Sequence, residues 1–304
     1  IRKALDYILS INSREELISK IANLHIDGIG AFFYSYPAAD LEDSNMTILY
    51  MEQGGLGMGN RDYYTEAENA QLKAGYRTYL SKIFALAGVE GDIEKMVDNV
   101  MAIEDRLAAK HWTNVECRDI VKGYNPYTFE AFKAQYKGVD WDAYFRAMGV
   151  RKIEKIVVSQ PSSFANTLAT LKSASLDELR AYVAAHYISS AASYLSEDFA
   201  VASFEFFGKE MSGTEEIRPR WKRAMSVPNS ILSEAVGQMY VAKYFPESEK
   251  ARVEEMVANI QKAFSKHIEA LDWMGQDTKA KAQEKLAAFT VKIGYPNKWK
   301  DYST

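Results

Sequence analysis

The chain has 304 residues, 47% of them hydrophobic and 26% charged, which is the composition of a folded globular chain rather than a disordered or fibrous one. Its 37 Lys and Arg stand against 41 Asp and Glu, for a net charge of -4, and both signs are interspersed, so nucleic acid is not an expected partner. No apolar run reaches the roughly 18 residues that span a bilayer, and the single cysteine, Cys117, excludes an internal disulfide.

Helical periodicity dominates the chain in order. Residues 1 to 10 form a short amphipathic run, with Asp6 among Leu5, Tyr7, Ile8 and Leu9, that reads as the inside of a helix already under way rather than as a signal peptide. Three later helices carry a Ser or Thr followed three residues on by Glu, a pairing that satisfies orphaned backbone N–H groups. These are Ser13 with Glu16 ahead of Leu17, Ile18, Ile21 and Leu24, Thr65 with Glu68 ahead of Leu72, Tyr76, Tyr79, Leu80 and Ile83, and Ser175 with Glu178 ahead of Leu179, Tyr182 and Val183. Gly88 suits a C-terminal stop for the second.

Two longer helices are predicted. One runs over about 92–111, with Ile93, Met96, Val97, Val100, Ile103 and Leu107 on one face, and the other over about 250–273, with Val253, Met256, Val257, Ile260, Phe264 and Leu271. Pro228 interrupts the apolar pattern between Trp221 and Phe245, so a kink or break is expected there. The segments 29–36 and 46–51 look extended and flank a turn-prone 40–45, which predicts an antiparallel pair. Residues 290–294 also look extended. The fold expected is mainly α, a multi-helix domain with a small antiparallel β pair near residues 29–51.

Patterns that could carry chemistry fail on detail. The cluster Gly54-Gly55-Leu56-Gly57-Met58-Gly59 lacks the Gly-Lys-Ser/Thr of a phosphate loop, and Asn60 stands where a dinucleotide fingerprint needs glycine, so a structural turn is expected. The histidines His25, His111, His186 and His267 are far apart, and none has a second histidine three to five residues away, as two zinc ligands on one helix would require. His267 and Glu269 form a His-x-Glu, but one cysteine cannot supply the Cys-x-x-Cys of a zinc deaminase. Cys117 follows His111 by six residues, a proximity that says nothing about catalytic geometry. The pairs Glu15-Glu16, Glu215-Glu216 and Glu254-Glu255 diverge by about 100 degrees on a helix and do not share a proton. Asp140-Trp141-Asp142 lacks the glycine and later Glu of a calcium loop. No catalytic or metal-binding residue is assigned to this chain, and its substrate-binding residues are left open. Its 19 tyrosines suit either a peptide-binding cavity or ordinary packing.

Four blocks, in order, carry a resemblance to the neprilysin-like zinc metallopeptidases. Gly55-Leu56-Gly57 with Asn60-Arg61-Asp62-Tyr63-Tyr64 is similar to the family's Gly-Leu-Gly-Leu-Pro-x-Arg-Asp-Tyr-Tyr, with Met58 and Gly59 in place of Leu and Pro. Arg118-Asp119 and Tyr124-Asn125 follow a helix with an acidic residue, Glu104. Pro219-Arg220-Trp221-Lys222, Ala235-Val236-Gly237 and Tyr240-Val241 lead to Phe245, and Ala224 stands where vertebrate members have a cysteine, which points to a bacterial-type member. The last block contains Glu255-Met256-Val257, Ile260, Ala263-Phe264, Leu271-Asp272-Trp273-Met274, Thr278-Lys279, Ala282, Lys285-Leu286, Ile293-Gly294-Tyr295-Pro296 and Trp299.

The resemblance implies that residues 1–304 are an N-terminal helical, non-catalytic region, truncated at both ends, of a zinc endopeptidase that hydrolyses peptides. Its role would be to enclose the substrate cavity and limit access. The implied partners are peptide substrates and a catalytic domain of the same polypeptide. Zinc would belong to the full-length enzyme, with none expected in this chain. Localisation is left open, with an extracytoplasmic one (periplasmic, secreted or membrane-anchored) favoured over the cytoplasm. The family's His-Glu-x-x-His does not occur here. The competing expectation is a stand-alone helical binding or scaffold protein related to the family without its activity. That alternative calls for a polar, capped terminus near Thr304, whereas Trp299 to Thr304 reads like an interrupted chain.

Overall fold

A computed structural model describes residues 1–303. They divide into two compact units, 1–217 and from 218 onward, and each is described by itself.

The first unit is built around a helix that is apolar on every side. In Leu176–Ala191 the buried residues Leu179, Ala181, Tyr182, Val183, Ala184, Ala185 and Ile188 cover the whole circumference, a pattern that only a central helix sustains. Its start has both halves of the predicted capping box, with Ser175 and Glu178 bonded reciprocally. Against it packs Ile93–Ala108, whose buried stripe includes Val97, Val100, Ile103 and Leu107 as expected. Ala70–Leu86 adds Tyr76, Tyr79, Leu80, Ile83 and Phe84 to the same core. It ends as predicted, with Gly88 at φ +66° just beyond. A seven-residue π-helical stretch, Phe204–Glu210, sets Phe206 and Phe207 against the Tyr79 ring.

Some boundaries differ from expectation. Thr65 does not cap the long helix. It ends the short helix Asp62–Thr65, a 3-10 turn Ala67–Asn69 intervenes, and the long helix starts at Ala70. The Thr65 hydroxyl donates back to the Arg61 carbonyl instead. Ser13 does cap its helix, accepting from the Glu16 N–H, but Glu16 returns the bond to Asn12 rather than to Ser13.

The expected β pair exists as β1 (Phe33–Ala39) and β2 (Thr47–Gln53), antiparallel. It belongs to a larger mixed sheet with β3 (Pro126–Tyr127) and β4 (Ile156–Val158), in the order β1-β2-β4-β3. β2 and β4 run parallel, with Met51 opposite Val158. Residues 29–32 turn rather than extend, and Phe32 adopts φ +66° there.

The second unit is four helices: Arg220–Ile231, Ser233–Tyr244, Glu247–Ala270 and Gln276–Ala287. Pro228 lies inside the first, and the break comes at Leu232, whose N–H bonds to the Pro228 carbonyl. Residues 290–294 form no strand.

Candidate functional site

The glycine cluster turns the chain from β2 into the Asp62–Thr65 helix, and its shape is dictated by what crowds it. Gly55 has φ +81°, and a Cβ there would lie 2.4 Å from the Tyr182 hydroxyl. That hydroxyl donates to the Gly55 carbonyl at 2.8 Å and accepts from the Phe32 N–H at 2.9 Å. At Gly57 a Cβ would come within 1.8 Å of the Tyr76 hydroxyl. Only glycine lets the loop sit this close to the helices beneath it.

Those helices hold the loop through a buried carboxylate, Glu104, which has no exposed surface. Tyr64 donates to its Oε2 at 2.5 Å, Tyr76 donates to its Oε1 at 3.1 Å, and His186 Nε2 lies 2.9 Å from the same oxygen. The Met58 N–H in turn donates to the Tyr64 hydroxyl at 3.0 Å. Burial first, and then the charge of Glu104, push the Tyr64 and Tyr76 phenols well above their ordinary range, so both stay protonated and donate. A sealed carboxylate with three partners fixes the Arg61-Asp62-Tyr63-Tyr64 block in space; it offers nothing to a solvent-borne substrate. The sequence signal for Glu104 was its place on the buried stripe of its helix, in step with Val97, Val100 and Leu107.

The second motif block closes the far side of the sheet. Asp119 caps Ile120–Gly123, and Asn125 Nδ2 donates to the Lys122 and Val158 carbonyls at 2.9 and 3.1 Å. Tyr124 donates to Asp40 Oδ1 at 2.6 Å, and Lys155 Nζ reaches Asp40 Oδ2 at 2.6 Å and Glu42 Oε2 at 3.0 Å. The bonds from Lys155 and Tyr124 hold the Asp40 carboxyl down to about 2. Burial, and then the bond to Asp40, push the Tyr124 phenol up to about 12.

The histidines are dispersed into separate structural roles. His25 Nδ1 pairs with the Tyr144 hydroxyl at 2.7 Å and its Nε2 with the Ala31 carbonyl at 2.8 Å, and burial lowers its pKa. His111 is buried beside the Gly54 backbone, and burial, with the charge of Arg61 adding to it, drops it to about 4. His186 belongs to Glu104, and His267 is exposed. Among the described residues no group of three His, Cys, Asp or Glu is placed to hold a metal ion. Desolvation, Glu52 and Glu116 raise the Cys117 thiol, which opposes a nucleophilic role. Asp140 caps Trp141–Ala147 and Asp142 meets Lys133 at 3.1 Å, both structural tasks.

In the second unit the closing motif ties the chain to its longest helix. Lys250 Nζ donates to the Tyr295 carbonyl and to Asn297 Oδ1, each at 2.9 Å, and lies 4.5 Å from the Tyr295 ring centre. Tyr295 stacks on Trp299. Little else is covered. Ile268 is the buried apolar side chain of the described part of this unit, while Trp221, Ile231, Met239, Tyr240, Met256, Ile260, Phe264 and Trp273 are all more than half exposed.

A family model described as peptidase family M13 matches residues 1–296. The chain belongs to peptidase family M13. This M13 chain is 30% identical over 261 residues to a neutral endopeptidase of Lactobacillus helveticus, a match that covers 86% of the chain and 40% of that protein. It is 30% identical over 274 residues to endothelin-converting enzyme 1 of Rattus norvegicus, covering 88% of the chain and 36% of the relative. Its fold matches an inhibitor complex of the zinc metalloprotease ZMP1 of Mycobacterium tuberculosis with a TM-score of 0.87 at 31% identity, over 99% of this chain and 46% of that one. The M13 chain therefore spans less than half the length of the relatives it matches.

Proposed function

We propose that this chain is the non-catalytic, cavity-enclosing part of a zinc metalloendopeptidase that hydrolyses peptides, and that a catalytic domain of the same polypeptide covers the apolar face of the second unit. The observation that carries the reading is that face. Met256, Ile260 and Phe264 recur every four residues along Glu247–Ala270 and stand exposed, as a stripe does when its partner lies elsewhere. Family membership supports a catalytic domain as that partner, since the relatives are more than twice as long as the matched region.

In this reading the first unit acts on substrate range and positioning. A rigid wall restricts entry by size, removes bulk water and orients a peptide, effects that are separate from bond cleavage. The metal chemistry belongs to the catalytic domain, and an extracytoplasmic location, favoured over a cytoplasmic one, belongs to the same proposal. No described helix is long and apolar enough to cross a membrane.

The test is to sequence the coding DNA past the codon for Thr304 and to assay the purified chain on a fluorogenic peptide. An in-frame His-Glu-x-x-His with a later Glu, together with no chelator-sensitive cleavage by the chain alone, is expected. An in-frame stop at that point would leave a stand-alone helical protein, and chelator-sensitive cleavage by the chain alone would overturn the non-catalytic assignment.

A further inference from the structure

The sheet turns one face to the core, and its other face is closed over β2 and β4 but open along β1. Register puts Ser35, Pro37, Leu49 and Met51 on the core side, and Tyr34, Tyr36, Ile48, Tyr50 and Glu52 on the opposite side. There the apolar packing ends with a small cluster of Ile48, Tyr50 and Val157 flanked by Ala38 and Tyr124. Beyond it, Tyr34 is 49% exposed and Tyr36 36%. Both rings are held despite their exposure. Tyr36 stacks on Tyr50 with 5.7 Å between centroids, and Tyr34 lies so close over Gly30 and Gly54 that a Cβ at either would meet it at 2.8 Å.

Between these rings sits a half-buried carboxylate. Glu52 faces Tyr34 across the strands, accepts from the Tyr36 hydroxyl at 2.5 Å and from Ser159 Oγ at 3.4 Å, and has no cationic partner among the described residues. The nearby cation at the sheet's end, Lys155, is taken by Asp40 and Glu42. A carboxylate supplied with hydroxyls but not with a cation, beside two fixed tyrosine faces, is complementary to a basic group.

We propose that this face binds an extended peptide through one arginine or lysine side chain, whose charge pairs with Glu52 and whose stem or guanidinium lies over Tyr34 and Tyr36. The choice of a peptide rests on the function proposed above and on the strand beside the site. β1 is an edge strand. The Leu49 N–H bonds to the Lys155 carbonyl and the Met51 carbonyl accepts from the Ser159 N–H, so both residues direct their polar groups toward β4. Their partners Ser35 and Pro37 therefore direct theirs to the free edge. Ser35 presents both an N–H and a C=O there, while Pro37, with no N–H, limits pairing to the stretch before it. A strand added at this edge lies about 10 Å from β2, two strand spacings, a gap that a long basic side chain crosses by lying on the Tyr34 ring. Arginine is preferred over lysine, because its planar fork takes both carboxylate oxygens and stacks on an aromatic face.

The test uses the whole chain and two labelled, extended alanine-rich peptides, one with a central arginine and one with the neutral isostere citrulline, in fluorescence anisotropy. The arginine peptide should bind about tenfold more tightly at low salt, with the preference shrinking as salt is added. E52Q should erase the preference, Tyr34→Leu should reduce it about threefold, and E205Q, at a carboxylate paired with Lys82 on another surface, should leave it intact. E52Q also weakens the acceptor of Tyr36, so its fold is checked by circular dichroism. Tyr34→Leu, which leaves that bond in place, carries the test if E52Q unfolds. Equal binding of the two peptides, binding of neither, or a preference that survives E52Q in a folded protein would overturn the proposal. The readout is independent of cleavage, so a stop codon after Thr304 would remove the enclosure reading and leave this result standing.

Discussion

The two units carry the same kinds of large apolar side chain and put them to different use. In the first, Phe33, Phe132, Trp141 and Phe164 meet edge to face, tilted or stacked inside a closed core. In the second, side chains of the same kind, Trp221, Phe264, Trp273 and Phe289, stand open. The difference teaches that amphipathic periodicity records only that a helix has an apolar face, and not whether the same unit supplies what covers it. An exposed apolar face of this kind needs a partner or it associates with copies of itself.

The contrast can be broken by substitution. Phe164→Ala removes a ring with four aromatic neighbours, Phe33, Phe132, Tyr136 and Trp141, and should cost about 3–5 kcal/mol in urea denaturation. Glu104→Gln leaves the shape of the buried knot but removes the charge that Tyr64, Tyr76 and His186 converge on, and a loss of about 3 kcal/mol is expected.

A pH effect of up to roughly 3 kcal/mol follows from His111, whose pKa falls from 6.5 to about 4 on folding. The unfolded chain takes up this proton first, so stability is full above about 6.5 and declines as pH falls toward 4. His111→Gln should flatten that part of a pH–stability curve, and a curve of unchanged slope would count against a buried neutral imidazole. The smallest effect is reserved for the second unit. Phe264→Ser, at a 55% exposed position, should shift stability by no more than about 0.5 kcal/mol while reducing concentration-dependent association in analytical ultracentrifugation. A core-sized loss there would mean that the second unit closes on itself after all.

Much of the local structure was legible beforehand, for a common reason. The capping box at Ser175 and the stop at Gly88 are set by bonds within four residues, and such short-range chemistry is written in consecutive letters, whereas the helix runs through Pro228 and breaks only at Leu232. The Thr65 start failed because Thr65 closes the short helix Asp62–Thr65 and a 3-10 turn precedes the long helix, so its hydroxyl is not at the helix N-terminus. β3 and β4 were missed because two and three residues are too short for an alternating pattern to register.

The candidate site was less legible than the fold. Tyr34, Tyr36, Tyr50 and Glu52 alternate with core residues along β1 and β2, a period-two signal that shows sidedness but not which side stays open. What the sequence determined by itself was the family, the helical character and the positions where backbone needs forced a glycine, a proline or a cap. What only the tertiary structure decided was which side chains meet. Glu104 finds Tyr64 across 40 residues and His186 across 82, and Glu52 stands without a cation among the described residues, beside two exposed rings. Partners at such separations are chosen by the packing of whole helices and strands, and no local pattern encodes that choice.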